Sequence, residues 1–556
     1  MLKPVVTPTR PLSTSDRASS NRVAVAILVV FAATAIVTLA PVWNGPGWPM
    51  NHETWGIAQR TQIYASHWAG ADLVPIWSST DNLGFGSRFP LFYHRLFYLV
   101  AALLALMLGS LKAADAGAIM LALTAGAWGM FRLTRQMGAS ELGASVAGIS
   151  LIAANYTVTN WLVRGAVAEL TGAMLVPWVL VYFQRALASR RMNVGLGVTL
   201  GLMWHAHSVL AFYVGMLLAI TFLVLALCRN ASWTILDPRT AWPALTVFSI
   251  FVLPHLALMW LFQRGYDTSR IISEPLVPWL QFRPIRAYFW DTYWTPGHTE
   301  AGYTTQIDLP MLALLVVAVA TTLKRRHDLS RGATMLATVA IPSALCLALQ
   351  MPWTESFYRY MPGAAYVQFP WRLLAVLTPG LIAVAIVLAD QVLPHDKRLL
   401  SLGACAAWMV AGSLAFAPLT DGRVPVDPVS LAHISFSGFR EHQPIISPPL
   451  ADLTAAISSR WTEIGCIVIR DDPGAEVTLA RFHVTCERAG VVPLPIYSSV
   501  LHRVHTSGFD RATPCLDVSD LPAVCAATVH AGVNVVDVQM PTLGAAARHL
   551  VTLGRR

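Results

Sequence analysis

A handful of ionisable residues in this chain stand where polar chemistry is expensive. They are His52 and Glu53 in "NHETWGIAQR", Arg60, Arg88 and His94 farther along, Arg164 and Glu169 in "VRGAVAEL", and Arg372 in "QFPWR". Each falls close to the end of an apolar run. A carboxylate with an apolar surround has its pKa raised, which makes it a better proton acceptor than a solvated one, so Glu53 is a candidate general base; the alternative is a solvated interface pair with His52. Arg164 and Glu169 are costly at such a depth unless they pair or line a wet cavity. That leaves two readings, a functional pair or an ion pair that fixes helix packing. Arg372 follows Pro370 and Trp371 directly, as a snorkelling anchor or a phosphate ligand would. His205 and His207, in "MWHAHSVL", have a spacing that could share a metal, but no third ligand is evident, and they read as satisfied interface histidines.

The elements that must position these residues follow from composition. The chain has 556 residues, 55% of them hydrophobic and only 12% charged, which places it outside the soluble range. Its net charge of +9 is scattered through short connections rather than clustered, so topology explains it better than a nucleic-acid partner. The first apolar run, Val23 to Ala40, has no small-residue cleavage site nearby and reads as a retained span. Further runs lie near 116–131, 142–160, 168–184, 193–207, 208–228, 241–262, 308–323, 332–350, 371–389 and 399–418, about eleven spans in all. A twelfth, Phe92 to Leu111, opens with the aromatics and His-Arg pair of an interfacial segment.

Charge decides whether that run crosses. If it lies flat, about 17 Lys and Arg fall in roughly 69 residues of one set of loops, against about 10 in roughly 148 of the other, as cytoplasmic and outer loops should. If it crosses, the basic loops turn outward. The expected topology is therefore a cytoplasmic N-terminus (1–22), a transmembrane domain (23–418) with a long outer loop (42–114), a Pro-rich linker (419–450) and an exported domain (451–556). In the last, "EVTLARFHVTC" and "VHAGVNVVDVQ" alternate in polarity and "DDPG" reads as a turn, which fits a small β-sandwich. Four of the seven cysteines lie there, and an even number in an exported domain suggests two disulfides, Cys466 with Cys486 and Cys515 with Cys525. The aromatic run 279–298 reads as a lid or an interfacial belt. There is no phosphate-binding glycine loop, dinucleotide fingerprint or nucleophilic Ser or Cys motif.

An acidic residue soon after the first span, then "DLVPIW", "NLGFGSRFPLFYHRLFYL", "RGAVAE" and "QFPWRLL" in that order, resembles the bacterial membrane proteins labelled 6-pyruvoyl-tetrahydropterin-synthase-related. These neighbour the YfhO-like proteins of the GT-C glycosyltransferase superfamily, and the resemblance covers roughly residues 20–400. It implies a mainly α, polytopic GT-C-like fold, a polyprenyl-phosphate-linked sugar donor, and a glycan or lipid acceptor at the outer face of the bacterial cytoplasmic membrane. It also implies a first-loop carboxylate as base, which maps to Glu53 where Asp is more usual, and a second acidic residue, which maps to Glu169 and would orient the acceptor or hold a divalent cation. No other cofactor is implied, and pterin chemistry is not. His52, Arg60, Arg88, His94, Arg164 and Arg372 are the corresponding substrate-binding candidates, with arginine suited to phosphate by its paired donors. Two rivals from other classes are a flippase for lipid-linked sugars and a non-catalytic envelope assembly protein. A flippase would need ionisable residues near the bilayer midplane, whereas those found here gather at the ends of spans.

Overall fold

Apolar runs of eighteen or more residues cannot leave backbone polar groups unpaired in hydrocarbon, and here they close into helices. The computed structural model describes residues 14–262, 272, 276–290, 304–325, 333–415, 422–424, 426, 450–471, 478–498, 502–518 and 521–539. Among them, eight helices are long and apolar enough to cross a membrane: Asn21–Thr38, Leu111–Gln136, Glu141–Val163, Val167–Ser189, Ser208–Leu227, Pro238–Trp260, Pro370–Val392 and His395–Ala415. Ala333–Leu349 joins Pro352–Tyr360 through a 90° bend, and Val194–Ala206 and Leu309–Lys324 are shorter apolar helices. Each of the eleven expected spans falls on one of these, and the chain is a multi-pass membrane protein.

The twelfth run becomes a helix of 13 residues, Leu96–Leu108, which rises about 20 Å against a hydrocarbon core of about 30 Å. Length alone does not set it apart, because Val194–Ala206 also has 13 residues. Its aromatic, basic start and the charge of the loops are what distinguish it.

Burial separates an inner group of helices from an outer one. Pro370–Val392, Glu141–Val163 and Val167–Ser189 are 89%, 83% and 78% buried over their most apolar windows, whereas Asn21–Thr38 and Pro238–Trp260 are 17% buried and present their apolar faces outward. The residues singled out for chemistry sit at the ends of the inner group.

The long loop is more structured than its aromatic, glycine-rich composition suggests. Thr54–Ala69 is a 16-residue helix, which buries Ile57, Ala58, Thr61 and Tyr64 on one face at helical spacing. Thr61 Oγ1 donates to Asp115 Oδ1 at 2.6 Å, and the Tyr64 hydroxyl donates to the Pro90 carbonyl at 3.0 Å. Between residues 78 and 87 the chain closes on itself through paired Ser78 and Ser87 backbone hydrogen bonds of 2.8 Å. Gly86 has φ +85° there, and a Cβ on it would stand 2.6 Å from the Trp77 ring.

The C-terminal segment is β-rich, as expected, but opens with a helix that the alternation of its strands does not announce. Leu450–Glu463 buries Leu453 and Ile457 against the strands. Cys466–Asp471, Thr478–Cys486, Gly532–Gln539, Arg503–Thr506 and Thr513–Pro514 form one sheet in that order, and Gly490–Tyr497, Leu521–Val529 and Leu516–Val518 form another. Both sheets contribute to a single hydrophobic cluster, in the manner of a sandwich. Cysteines 466 and 486 are bonded, as are 515 and 525. The "DDPG" turn lies largely outside the described residues, as do most of the linker and residues 291–298 of the aromatic run.

This domain grips the long loop between the first two spans. Ile76, Trp77, Phe85 and Leu91 join its core, the Tyr497 N–H donates to the Phe85 carbonyl at 2.8 Å, and Arg470 donates to the carbonyls of Gly84 and Ser79. Farther back, Trp48–Pro49 pairs antiparallel with Arg423–Val424, so the start of the loop and the start of the linker run side by side.

Candidate active site at the outer-loop arginines

Glu53 stands directly before the Thr54–Ala69 helix, and its backbone N–H donates to Asn51 Oδ1 at 2.9 Å. The rest of its position is set by a second segment. The helix from Glu141 ends in five residues wound as a wide π-turn, Thr159–Val163, whose carbonyls at Trp161 and Val163 accept from Asn51 Nδ2 and the His52 N–H. Gly165 then reverses the chain with φ +70°, and a Cβ there would meet Asn51 Oδ1 at 2.5 Å and Glu53 Cβ at 2.8 Å. The close approach and the left-handed backbone both require glycine.

The surround of Glu53 is not hydrocarbon. Its Oε2 is 3.1 Å from Arg60 Nη1, one helical turn and more along the same helix. Arg60 is buried, its guanidinium 4.6 Å from the Phe89 ring centre and 4.4 Å from that of Tyr93, with Nη1 donating to the Tyr98 hydroxyl at 3.4 Å. Aromatic faces on a desolvated guanidinium hold it by cation–π attraction. Glu53 itself is partly exposed, so its carboxyl group lies at the rim of a buried guanidinium.

Glu169, in the first turn of Val167–Ser189, is buried and fully engaged. Arg164 meets it with two hydrogen bonds of 3.0 Å, the Tyr156 hydroxyl donates to Oε1 at 2.5 Å, and Arg372 Nε lies 3.4 Å from Oε2. Arg164 also donates to Asn160 and lies 4.6 Å from the Trp371 ring centre. Arg372 reaches this place from the turn Pro370–Leu373, where its Nη1 donates to the Val367 carbonyl at 3.2 Å and to Gln368 Oε1 at 3.0 Å. Arg164 and Glu169 thus form a bidentate ion pair, and Arg372 makes it a triad.

The two clusters form one neighbourhood. Tyr93 feels the charges of Arg60, Glu53 and Arg372, and His52 feels Arg164 and Glu53. Loss of hydration and then Arg164 lower the pKa of His52, against the pull of Glu53, which favours a neutral ring. His94 is pushed well below the ordinary histidine range by burial first and then by its neighbours, led by His207, whose ring centre is 4.2 Å away. Arg88 is buried beside His502 of the β-rich domain, so it faces the grip on the loop rather than Glu169. A small cleft opens next to the triad, lined by Glu169, His207, Tyr213, Val367 and Arg372 among others.

Sequence reasoning missed His207 as a lining residue, along with Asn51, Tyr93 and Tyr156. The only signal for Asn51, Tyr93 and Tyr156 is proximity in sequence to Glu53, His94 and Arg164, which does not reveal which way a side chain turns. Among the described residues no group of three or more His, Cys, Asp or Glu is arranged to hold a metal ion. His205 is half satisfied, with its Nε2 bonded to the Phe251 carbonyl at 2.9 Å and its buried Nδ1 without a hydrogen-bond partner among the described residues.

Among the described residues Arg60 pairs with Glu53, with the buried Asp81 also near enough to feel its charge, and Arg164 and Arg372 share Glu169.

No family model matches the chain, and no curated protein is a significant match to it. Among solved structures it is similar to ArnT from Cupriavidus metallidurans bound to undecaprenyl phosphate, at 16% identity over 68% of this chain and 63% of that one, with a TM-score of 0.44. It is also similar to an oligosaccharyltransferase from Archaeoglobus fulgidus, at 12% identity over 79% and 58% of the two chains with a TM-score of 0.40, and to the mycobacterial arabinofuranosyltransferase AftD, at 15% over 93% and 40% with a TM-score of 0.39. The chain spans less than two thirds of the length of each. The likeness is one of overall helical arrangement.

Proposed function

We propose that this protein is a membrane glycosyltransferase of the GT-C type, which moves a sugar from a polyprenyl-phosphate donor to an envelope glycan or lipid acceptor at the outer face of the cytoplasmic membrane. The observation that carries this reading is the partly exposed Glu53 carboxylate beside the buried Arg60, with Arg164 and Arg372 gathered around Glu169 in the same neighbourhood. Such a site joins a proton acceptor to a seat for a phosphate leaving group. A donor would enter sideways from the bilayer, its phosphate drawn to Arg372 and Arg60. The acceptor hydroxyl oxygen then attacks the anomeric carbon, the bond from that carbon to the phosphate oxygen breaks, and polyprenyl phosphate leaves as an anion stabilised by the guanidinium groups. Glu53 takes the hydroxyl proton. A single displacement of this kind inverts the anomeric centre. Glu169, already committed to two arginines, serves by positioning them rather than by meeting the acceptor.

The test is transfer from radiolabelled polyprenyl-phosphate sugars by the purified full chain. Glu53→Gln should lower transfer by at least a hundredfold, the lower end of what a positioned acid or base contributes, while insertion and donor binding persist. Turnover near that of the wild type would sink the assignment. Donor that changes leaflet without any bond change would favour a flippase instead.

A further inference from the structure

The Glu141–Val163 span is not wound continuously. Its first part stops at Ala153, Ala154 is extended with φ −62° and ψ 141°, and winding resumes at Asn155. A break of this kind deprives the Asn155 N–H of its partner one turn back, and Ala154 has no side-chain acceptor to replace it. The acceptor comes from elsewhere: Asp308 Oδ1 takes the Asn155 N–H at 2.8 Å, and both residues are buried. Asp308 stands directly before the Leu309–Arg325 helix, where its carbonyl accepts the Leu312 N–H, so by position it is the N-cap of its own helix. An aspartate there ordinarily bonds an N–H two or three residues on. Pro310 has no N–H, and among the described residues the Asp308 side chain makes no hydrogen bond to the Met311 N–H. The carboxyl group is turned instead onto a neighbouring span, and no Lys or Arg pairs with it among the described residues. Such a group is costly in a membrane protein's interior and is a functional candidate for that reason.

The restarted winding carries the floor of the candidate site. Tyr156, the next residue, donates to Glu169 Oε1, and Asn160 accepts from Arg164. The carbonyls of Trp161 and Val163 accept from Asn51 Nδ2 and the His52 N–H, immediately before Glu53. A bond at Asn155 therefore fixes the rotation and height of a segment that reaches toward both carboxylates.

We propose that Asp308 is a positioning residue for sugar transfer. It caps the restarted helix from a neighbouring span, and so sets Tyr156 against Glu169 and the Trp161 and Val163 carbonyls against Asn51 and His52. The inference rests on the reading of Glu53 as the proton acceptor, whose placement it governs. The role asks for an oxygen at that reach and not for a charge, because a backbone N–H is satisfied by an amide oxygen as well as by a carboxyl oxygen.

The full-length protein is studied in nanodiscs, with transfer from radiolabelled polyprenyl-phosphate sugars and hydrogen exchange read on the same preparation. Asp308→Asn keeps the acceptor oxygen and should hold kcat within about threefold of the wild type. Asp308→Leu, of similar size but without an acceptor, should lower kcat at least tenfold and leave KM for the donor within about twofold, since the displacement falls on Glu53. Exchange at amides 155–163 should rise in Asp308→Leu and return to the wild-type rate in Asp308→Asn, while amides 374–392 stay unchanged. Asn155→Pro removes the donor at a first helical position after an extended residue, where proline fits. It should reproduce the loss of Asp308→Leu, even if that variant folds poorly. The double variant should be no worse than the poorer single one, because both changes delete the same bond. Asp308→Leu that turns over like the wild type overturns the role, as does Asp308→Asn as impaired as Asp308→Leu, or single effects that multiply in the double variant. A wild-type protein without transfer overturns the glycosyltransferase reading instead, and the exchange rates still decide whether Asp308 holds the helix.

Discussion

At Glu169 a single carboxylate answers two arginines and a tyrosine inside the protein, and the cost of removing it is set by what it leaves behind. Breaking a buried pair from one side strands the other charge, at about 3–5 kcal/mol. Glu169→Ala should therefore lower the thermal midpoint sharply in detergent, and adding Arg164→Met should restore part of the loss, because the stranded charge is then gone. If the double variant is no more stable than the single one, the stranded charge is not what destabilises it. Arg164 and Glu169 were legible as a pair because they lie five positions apart across a glycine. Arg372, more than two hundred residues later, could be named as a phosphate candidate but not as their partner, since nothing local in "QFPWR" says where its fork points.

At the scale of elements, the site depends on a short reversal rather than on any long helix. The π-turn Thr159–Val163 and Gly165 bring the backbone against Asn51 and Glu53, where no side chain fits. Gly165→Ala should cost about 1–2 kcal/mol for the left-handed backbone alone. The clash with Asn51 and Glu53 comes on top of that, so transfer should fall by more than tenfold while the protein still folds. Kinetics and thermal unfolding measured on the same preparation check this, and a fall in both by the same measure would mean simple destabilisation. The eleven spans were readable because hydrocarbon admits few backbone solutions. The Thr54–Ala69 helix was harder to see, since its apolar positions at 57, 58 and 64 are diluted by polar residues in a loop rich in aromatics.

For the molecule as a whole, the β-rich domain and the outer loop behave as one body, joined through Arg470, Tyr497 and the edge-on contact of Trp77 with His502 at 4.6 Å. Arg470→Ala should leave both parts folded and raise amide exchange at residues 78–87, whose carbonyls it now holds. His502 is buried, and that burial, followed by the charge of Arg88, lowers its pKa from 6.5 to about 3. Between those values the unfolded chain binds the proton and the folded one does not, so stability rises with pH. It is fully present above about 6.5 and is lost as the pH falls toward 3, at up to about 1.4 kcal/mol per pH unit. Thermal unfolding at pH 7.5 and pH 5 should show this slope, and His502→Phe should flatten it.

The amino-acid sequence by itself determined that the chain is multi-pass, where its spans fall and that its C-terminal segment is β-rich, because hydropathy and alternation are local properties, whereas four cysteines allow three pairings, of which the structure holds Cys466–Cys486 and Cys515–Cys525. It also nominated Glu53, Glu169 and the arginines, since ionisable groups at the ends of spans are conspicuous. Only the tertiary structure decided what each of them does. It paired Glu53 with Arg60, spent Glu169 on two arginines, turned Arg88 toward His502, and put His207 beside Arg372. Those outcomes depend on side-chain direction and on contacts between segments far apart in the chain, which no local pattern encodes.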